Sequence, residues 1–172
     1  MRAVWCFVIA LGCGGGDSDC PDFAQIRGGT FSRTADTLTW TLEVAGIPAE
    51  LTFDQSAVPS FVEEYSWGVD IDANGDGTHE WEVAAKHYKM DGPERMVTDV
   101  IGATQTDLWR IEGAAGTIAG SLDATLSGNT FTFTLDAGED AGLDMVQASS
   151  KFVYRTAYQH GGLTDRCEDS FE

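Results

Sequence analysis

Short stretches in which apolar and polar residues alternate recur along most of the chain. Residues 37–45 (TLTWTLEVA) carry an apolar side chain at every second position, Trp40 among them, and residues 130–135 (TFTFTL) repeat the pattern. A period of two puts those side chains on one face of a strand, against a core. The alternation therefore predicts strands rather than helices.

Further strands, separated by turn residues, are predicted at 29–35, 48–53, 61–71, 79–87, 95–101, 107–111, 121–126 and 151–158. Residues 113–120, rich in Gly and Ala, predict a tight turn or a poorly packed edge. Residues 136–145 hold at most one helical turn, and residues 159–172 form a polar tail. Many short strands with frequent Gly turns favour an all-β fold, a single antiparallel β-sandwich of jelly-roll or Ig-like type with short loops and little helix.

The N-terminus predicts an export signal rather than part of the fold. An apolar run (residues 3–11) follows Arg2. It is too short to cross a bilayer, which needs about 20 apolar residues, but it suits a secretory signal. Its end, Ala10-Leu11-Gly12-Cys13, resembles the lipobox of bacterial lipoproteins.

This resemblance implies a signal peptide at residues 1–12, a lipidated Cys13 with a flexible tether at 13–20, and a β-sandwich domain at 21–172. The protein would then be lipid-anchored to a membrane of the bacterial cell envelope, the outer membrane in a Gram-negative cell, with its domain exported. The alternative is a cleaved signal followed by an ordinary free cysteine.

The four cysteines fit such a location. If Cys6 leaves with the signal and Cys13 carries lipid, Cys20 and Cys167 remain, and an oxidising compartment favours a disulfide between them. The bridge would close a loop of nearly the whole domain and contribute about 4–5 kcal/mol on the chain-entropy account. Two free thiols are the alternative. Metal ligation by the pair has no CxxC motif or nearby His pair to support it.

Residues 70–80 (DIDANGDGTHE) concentrate side-chain oxygens between two predicted strands. Calcium takes six to eight oxygen ligands from carboxylates, amides and backbone carbonyls. The pattern D-x-N-x-D-G-x-x-E that begins at Asp72 is similar to the calcium loops of FG-GAP and related β-proteins. We expect a Ca²⁺ site with these ligands: Asp72, Asn74, Asp76, the carbonyl of Thr78, and Glu80. Asp70 is an additional, reserve candidate for a ligand.

Two alternatives to this ligand set stay open. A register that begins at Asp70 puts Trp81 at the closing position, where it cannot bind an ion. A metal-free hairpin turn is also consistent, because Asn-Gly and Asp-Gly dipeptides form such turns unaided. Against the metal-free turn, carboxylates crowded into one loop repel one another, and a cation would relieve that repulsion.

The segments around the loop resemble family 9 carbohydrate-binding modules and DOMON-like domains. The likeness lies in YSWGVDID (65–72), EWEV (80–83) and GNTFTFTL (128–135). It implies a β-sandwich and a carbohydrate ligand, and it carries no catalytic signature.

Four tryptophans lie beyond the predicted signal. Trp40 and Trp67 alternate with aliphatic residues and are predicted to lie in the core. Trp81 and Trp109 have charged neighbours, so they are the candidates for stacking on a ligand such as a sugar.

The net charge of −18 argues against a nucleic-acid partner, because phosphates need a basic surface. No G-x-S-x-G elbow, HExxH zinc motif or phosphate loop is present, so the sequence predicts no enzyme. It predicts a non-catalytic binding module whose partner is a carbohydrate or another protein of the cell envelope. The alternative is a purely structural or adhesive envelope protein with no small-molecule ligand.

Overall fold

The computed structural model describes residues 20–48, 62–89, 95–96, 106–112, 115–160 and 165–172. These residues form antiparallel strands with two short 3₁₀ turns, at Asp22–Ala24 and Leu143–Met145. The strands are β1 (Ile26–Arg33), β2 (Thr37–Val44), β3 (Val62–Asp72), β4 (Trp81–Lys89), β5 (Arg95–Met96), β6 (Thr106–Glu112), β7 (Ala115–Ser127), β8 (Thr130–Asp136), β9 (Lys151–His160) and β10 (Asp165–Phe171).

The strands form two antiparallel sheets of an all-β sandwich, as predicted. Strands that are hydrogen-bonded neighbours follow one another in the order β1-β2-β8-β7-β6-β4-β3-β9-β10, and β5 pairs with β4. The long strand β7 joins the two sheets, because residues 123–127 pair with β8 whereas residues 115–122 pair with β6. At the β7–β8 hairpin, Gly128 has φ of 61°, a left-handed conformation that glycine adopts without steric cost.

The core lies between the two sheets and follows the predicted alternation. In β2 and β8 every second side chain is buried. Trp40 and Trp67 are both fully buried, which confirms their predicted place in the core. The ring of Trp67 stacks on Phe131 of the opposite sheet with centroids 4.9 Å apart, so the two sheets meet through aromatic contacts.

Residues 66–72 of strand β3 are buried on both faces, which differs from the half-buried strand that the alternation predicts. Trp67 and Ile71 face the core, but Ser66, Asp70 and Asp72 at the alternate positions are buried as well. A polar side chain is stable there only if hydrogen bonds or an ion pair replace its lost water. The partners of Asp70 and Asp72, described below, meet that requirement.

The segment that precedes β1 is attached to the sheet that contains β3 and β9. The carbonyl of Phe23 accepts a hydrogen bond of 2.8 Å from the indole of Trp67. The ring of Phe23 packs edge-on against Tyr158, which pairs with Cys167 in the β9–β10 ladder. Cys20 is buried nearby in sequence. It is the one cysteine whose side chain is described, so the predicted Cys20–Cys167 disulfide stays a prediction.

Two sequence predictions about the fold are wrong. Residues 115–120 are part of strand β7 rather than a turn or loose edge. Residues 165–171 form β10, paired with β9, rather than a polar tail. Both stretches lack a clear apolar alternation, and it is pairing with a neighbouring strand that makes them strands. The signal, Cys13 and most of the predicted strand at 48–53 lie outside the described residues.

Candidate metal centre

The loop between β3 and β4 (residues 73–80) is a closed, strongly bent turn. The backbone N–H of Glu80 donates to the carbonyl of Ile71 at 2.9 Å and closes the loop at its base. Gly75 and Gly77 have φ of 79° and 91°, a region that side-chain-bearing residues rarely adopt. The two glycines therefore let the backbone curl around the side chain of the residue that ends β3.

That residue is Asp72, which is 1% exposed and forms hydrogen bonds with the backbone of the loop. Its carboxylate accepts hydrogen bonds from the N–H groups of Gly75 (2.5 Å), Gly77 (2.9 Å) and Asp76 (3.2 Å). Burial opposes ionisation of Asp72, but the three N–H donors and the charge of Lys151 together outweigh it and hold its pKa below the ordinary value. Asp72 is therefore a carboxylate at neutral pH.

The other predicted ligands form a chain of short hydrogen bonds around the loop. Asn74 Oδ1 accepts from the N–H of Asp76, and Asp76 Oδ1 accepts from the N–H of Thr78, each at 2.8 Å. Glu80 Oε2 accepts from the N–H of Ala73 and Glu80 Oε1 from the Asn74 amide, each at 2.9 Å. Carboxylate and carbonyl oxygens have more than one lone pair, so these bonds leave acceptor capacity for an ion.

Three of the predicted ligands converge. One oxygen from each of Asp72, Asp76 and Glu80 lies within 4.8 Å of the others. Two oxygens bound to one calcium ion at about 2.4 Å can be at most about 4.8 Å apart, so the spacing is compatible with a shared ion. The donor set is all oxygen, which suits a hard cation. Asn74 and Thr78 belong to the same loop and are exposed.

Asp70 is not part of this group of converging oxygens, and its role as a reserve ligand stays a prediction. Its carboxylate accepts from Arg155 Nη2 at 2.7 Å and lies 3.3 Å from His79 Nδ1. The same Arg155 nitrogen lies 3.4 Å from Glu82, which is directly opposite Asp70 on β4. Two carboxylates in a cross-strand pair repel each other, and Arg155 offsets that repulsion. Sequence reasoning missed Arg155 because it is distant in sequence, on β9.

The structure describes one of the two tryptophans predicted to bind a ligand, Trp81, in more detail than the other, Trp109. Trp81 is 4% exposed, its indole donates to Asp140 Oδ2 at 3.0 Å, and its ring lies against Gly142. A ring buried in this way presents little surface to a ligand in this structure, and the ligand-binding role of Trp81 stays a prediction. Trp109 pairs with Glu82 in the β6–β4 ladder. Its side chain is outside the described part, so its role stays a prediction.

A groove that sequence reasoning did not find lies beside the loop. Its volume is about 600 Å³, and Asp72, Gly77 and His79 are part of its lining. The lining also includes four aromatic residues, Phe31 on β1, Phe152 and Tyr154 on β9 and Phe171 on β10; we call this cavity the aromatic groove. Its residues come from separate strands, so no local sequence signal marks them as neighbours.

In comparisons with protein-family models, curated proteins and solved structures, none matched this chain. The resemblances in the sequence therefore stay predictions, and a function must be argued from the loop and the groove. Among the described residues, no helix has the length and apolar character needed to span a membrane.

Proposed function

We propose that this protein is an exported, lipid-anchored binding module without catalytic activity, whose β3–β4 loop is stabilised by calcium and whose ligand is a carbohydrate. The observation that carries the proposal is the convergence of Asp72, Asp76 and Glu80 on one point of a closed hairpin loop. Three carboxylates at this separation repel one another, and a divalent cation between them removes that repulsion.

Calcium is the ion proposed because it accepts irregular sets of oxygen ligands, including backbone carbonyls and water. The described side chains offer three carboxylates, the amide oxygen of Asn74 adds a fourth candidate, and the carbonyl of Thr78 a fifth. The loop is already curled by hydrogen bonds to Asp72. The ion therefore has a structural role in this proposal, since it holds the loop and, with it, part of the lining of the aromatic groove.

The cellular part of the proposal rests on the sequence. Lipidation at Cys13 would hold the protein on an envelope membrane, because each acyl CH₂ buried in the bilayer contributes about 0.8 kcal/mol. The proposed Cys20–Cys167 disulfide would join the start of the domain to strand β10 and suits an oxidising compartment. The charge of −18 is consistent with a partner that is not a nucleic acid.

The calcium part is tested by thermal unfolding of the protein with calcium, with magnesium and with chelator. An ion that binds the folded state stabilises it by RT ln(1 + [L]/Kd), which is about 2.7 kcal/mol at a hundred times Kd. We expect the melting temperature to rise with millimolar calcium. The Asp76→Asn and Glu80→Gln variants should lose that rise, whereas Asp123→Asn, which removes one exposed charge on β7, should keep it. An equal rise in all variants would show that calcium acts elsewhere.

A second function, a structural or adhesive envelope protein with no small-molecule ligand, is favoured by one observation. Trp40, Trp67 and Trp81 are all buried, so the rings that most often stack on sugars are unavailable in this part of the chain. The two functions differ in the aromatic groove, which a purely structural protein would not need. A binding measurement on the groove therefore separates them.

A further inference from the structure

The aromatic groove has the size and composition of a small-ligand site. Pockets that hold small ligands measure roughly 300–1,000 Å³ and combine apolar walls with a few polar groups. The groove, at about 600 Å³, lies within that range. The rings of Phe31 and Phe152 lie 4.5 Å apart and are inclined by 32°, and those of Tyr154 and Phe171 are 6.1 Å apart. The four rings thus form an extended aromatic wall.

Tyr154 provides a polar group in this wall. The residue is 4% exposed, and burial raises the pKa of its phenol well above the ordinary value, so the hydroxyl keeps its proton. A phenol hydroxyl can donate one hydrogen bond, so an acceptor on a ligand in the groove can pair with it.

The backbone next to Tyr154 is arranged to admit its ring. A Cβ added at Gly29 would lie 2.6 Å from three carbons of the ring, including the carbon that carries the hydroxyl. A side chain at this position would collide with the ring. The absence of a side chain at Gly29 is therefore what allows the Tyr154 ring to lie here. Because Gly29 itself lines the groove, the hydroxyl-bearing end of Tyr154 lies at the groove wall.

The charges around the groove disfavour an anionic ligand. The lining carries two carboxylates, Asp72 and Glu172, and one ammonium group, Lys151, while His79 faces Asp70 at 3.3 Å. The overall charge of −18 also repels anions. Aromatic walls, one phenol donor and few charged groups together suit a neutral ring with hydroxyl groups.

We propose that the aromatic groove binds one or two pyranose units of a neutral saccharide, with an apolar ring face on Phe31 and Phe152 and a sugar oxygen accepting from the Tyr154 hydroxyl. The inference rests on the proposed binding function and gives it a location. It replaces the buried Trp81 with residues of β1, β9 and β10 as the ligand-binding set.

The test is calorimetric titration of the full chain, in detergent and calcium, with maltose, cellobiose, chitobiose, xylobiose and lactose. We expect at least one disaccharide to bind in the millimolar range or tighter. Tyr154→Phe removes only the hydroxyl and should weaken that binding about five- to tenfold, the effect of one hydrogen bond of about 1 kcal/mol. Tyr158→Phe is the matched control, because it loses a hydroxyl on the same strand outside the groove, and its affinity should be unchanged.

Three results would overturn the inference. The first is that no disaccharide binds. The second is that a disaccharide binds with equal affinity to the wild type and to Tyr154→Phe, which would place the sugar elsewhere. The third is that the neutral apolar probe N-phenylnaphthylamine binds in the groove and no sugar displaces it, which would indicate an apolar ligand.

Melting curves verify that each variant is folded, and they separate this inference from the calcium proposal. Loss of sugar binding with an intact calcium-induced rise in melting temperature refutes only the groove assignment. Sugar binding that persists without any calcium-induced rise refutes only the ion.

Discussion

Asp72→Asn in the presence of chelator is the most direct test of the loop. Asparagine has nearly the same shape, but it replaces one carboxylate oxygen with an NH₂ group and removes the charge. Asp72 accepts with both oxygens, Oδ1 from Gly75 and Asp76 and Oδ2 from Gly77. Whichever way the amide turns, at least one of these partly buried N–H groups then faces a donor instead of an acceptor.

The expected cost follows from these contacts. A hydrogen bond to a charged group contributes about 1.5–3 kcal/mol, and a buried donor left without a partner costs about 1–3 kcal/mol. The two ranges together predict a loss of about 2.5–6 kcal/mol in the free energy of unfolding at pH 7. Urea unfolding followed by tryptophan fluorescence measures the loss. Asp136→Asn is the control, because Asp136 accepts a similar bond from Gly138 (2.7 Å) but is exposed, and it should cost less than about 1 kcal/mol.

The same variant has a predicted pH dependence. The pKa of Asp72 is lower in the folded protein than in the unfolded chain, where aspartate has a pKa of about 3.9. Its stabilising contribution is therefore complete above that unfolded value and is lost as the pH falls through the lower folded value. The difference in the free energy of unfolding between the wild type and Asp72→Asn should become smaller in that acid range. A loss at pH 7 no larger than that of Asp136→Asn would refute the account of the loop.

Three further predictions concern other parts of the chain. Trp67→Phe should lower the free energy of unfolding in urea by about 1–3 kcal/mol more than Trp40→Phe does. It removes the 2.8 Å donor to the carbonyl of Phe23, whereas the buried Trp40 indole has no hydrogen-bond partner to lose among the described residues; equal costs would contradict this. Stability should fall as the pH rises above about 10, because burial holds the pKa of Tyr154 above its unfolded value, and Tyr154→Phe should reduce that fall; an unchanged alkaline slope would count against it. Cys13→Ser should move the protein from the membrane fraction to the soluble fraction on cell fractionation, and continued membrane association would refute lipidation.

Much of the fold follows from local patterns. The alternation in β2 and β8 predicts both strands and their buried faces, because a strand's side chains have a period of two whatever lies beyond it. The loop is also local. Its ligand spacing, its two glycines and its hydrogen bonds all lie between Asp72 and Glu80, so the acids that converge could be chosen from the sequence.

Local patterns are least informative where the environment of a residue depends on distant residues. Residues 165–171 have little alternation, and they become a strand because β9 offers its edge. Trp81 has charged neighbours in sequence, yet Asp140 and Gly142 cover it. Neither outcome can be derived from a window of ten or fifteen residues.

The sequence by itself determined the all-β class, the positions of most strands and a loop of converging carboxylates, since each depends on side-chain periodicity or on hydrogen bonds within a few residues. Only the tertiary structure decided which faces are covered, that Arg155 forms ion pairs with Asp70 and Glu82, and that aromatic residues from β1, β9 and β10 line one groove. The reason is that burial and ion pairing depend on which strands the folded chain brings together, and the residues involved are far apart along the sequence.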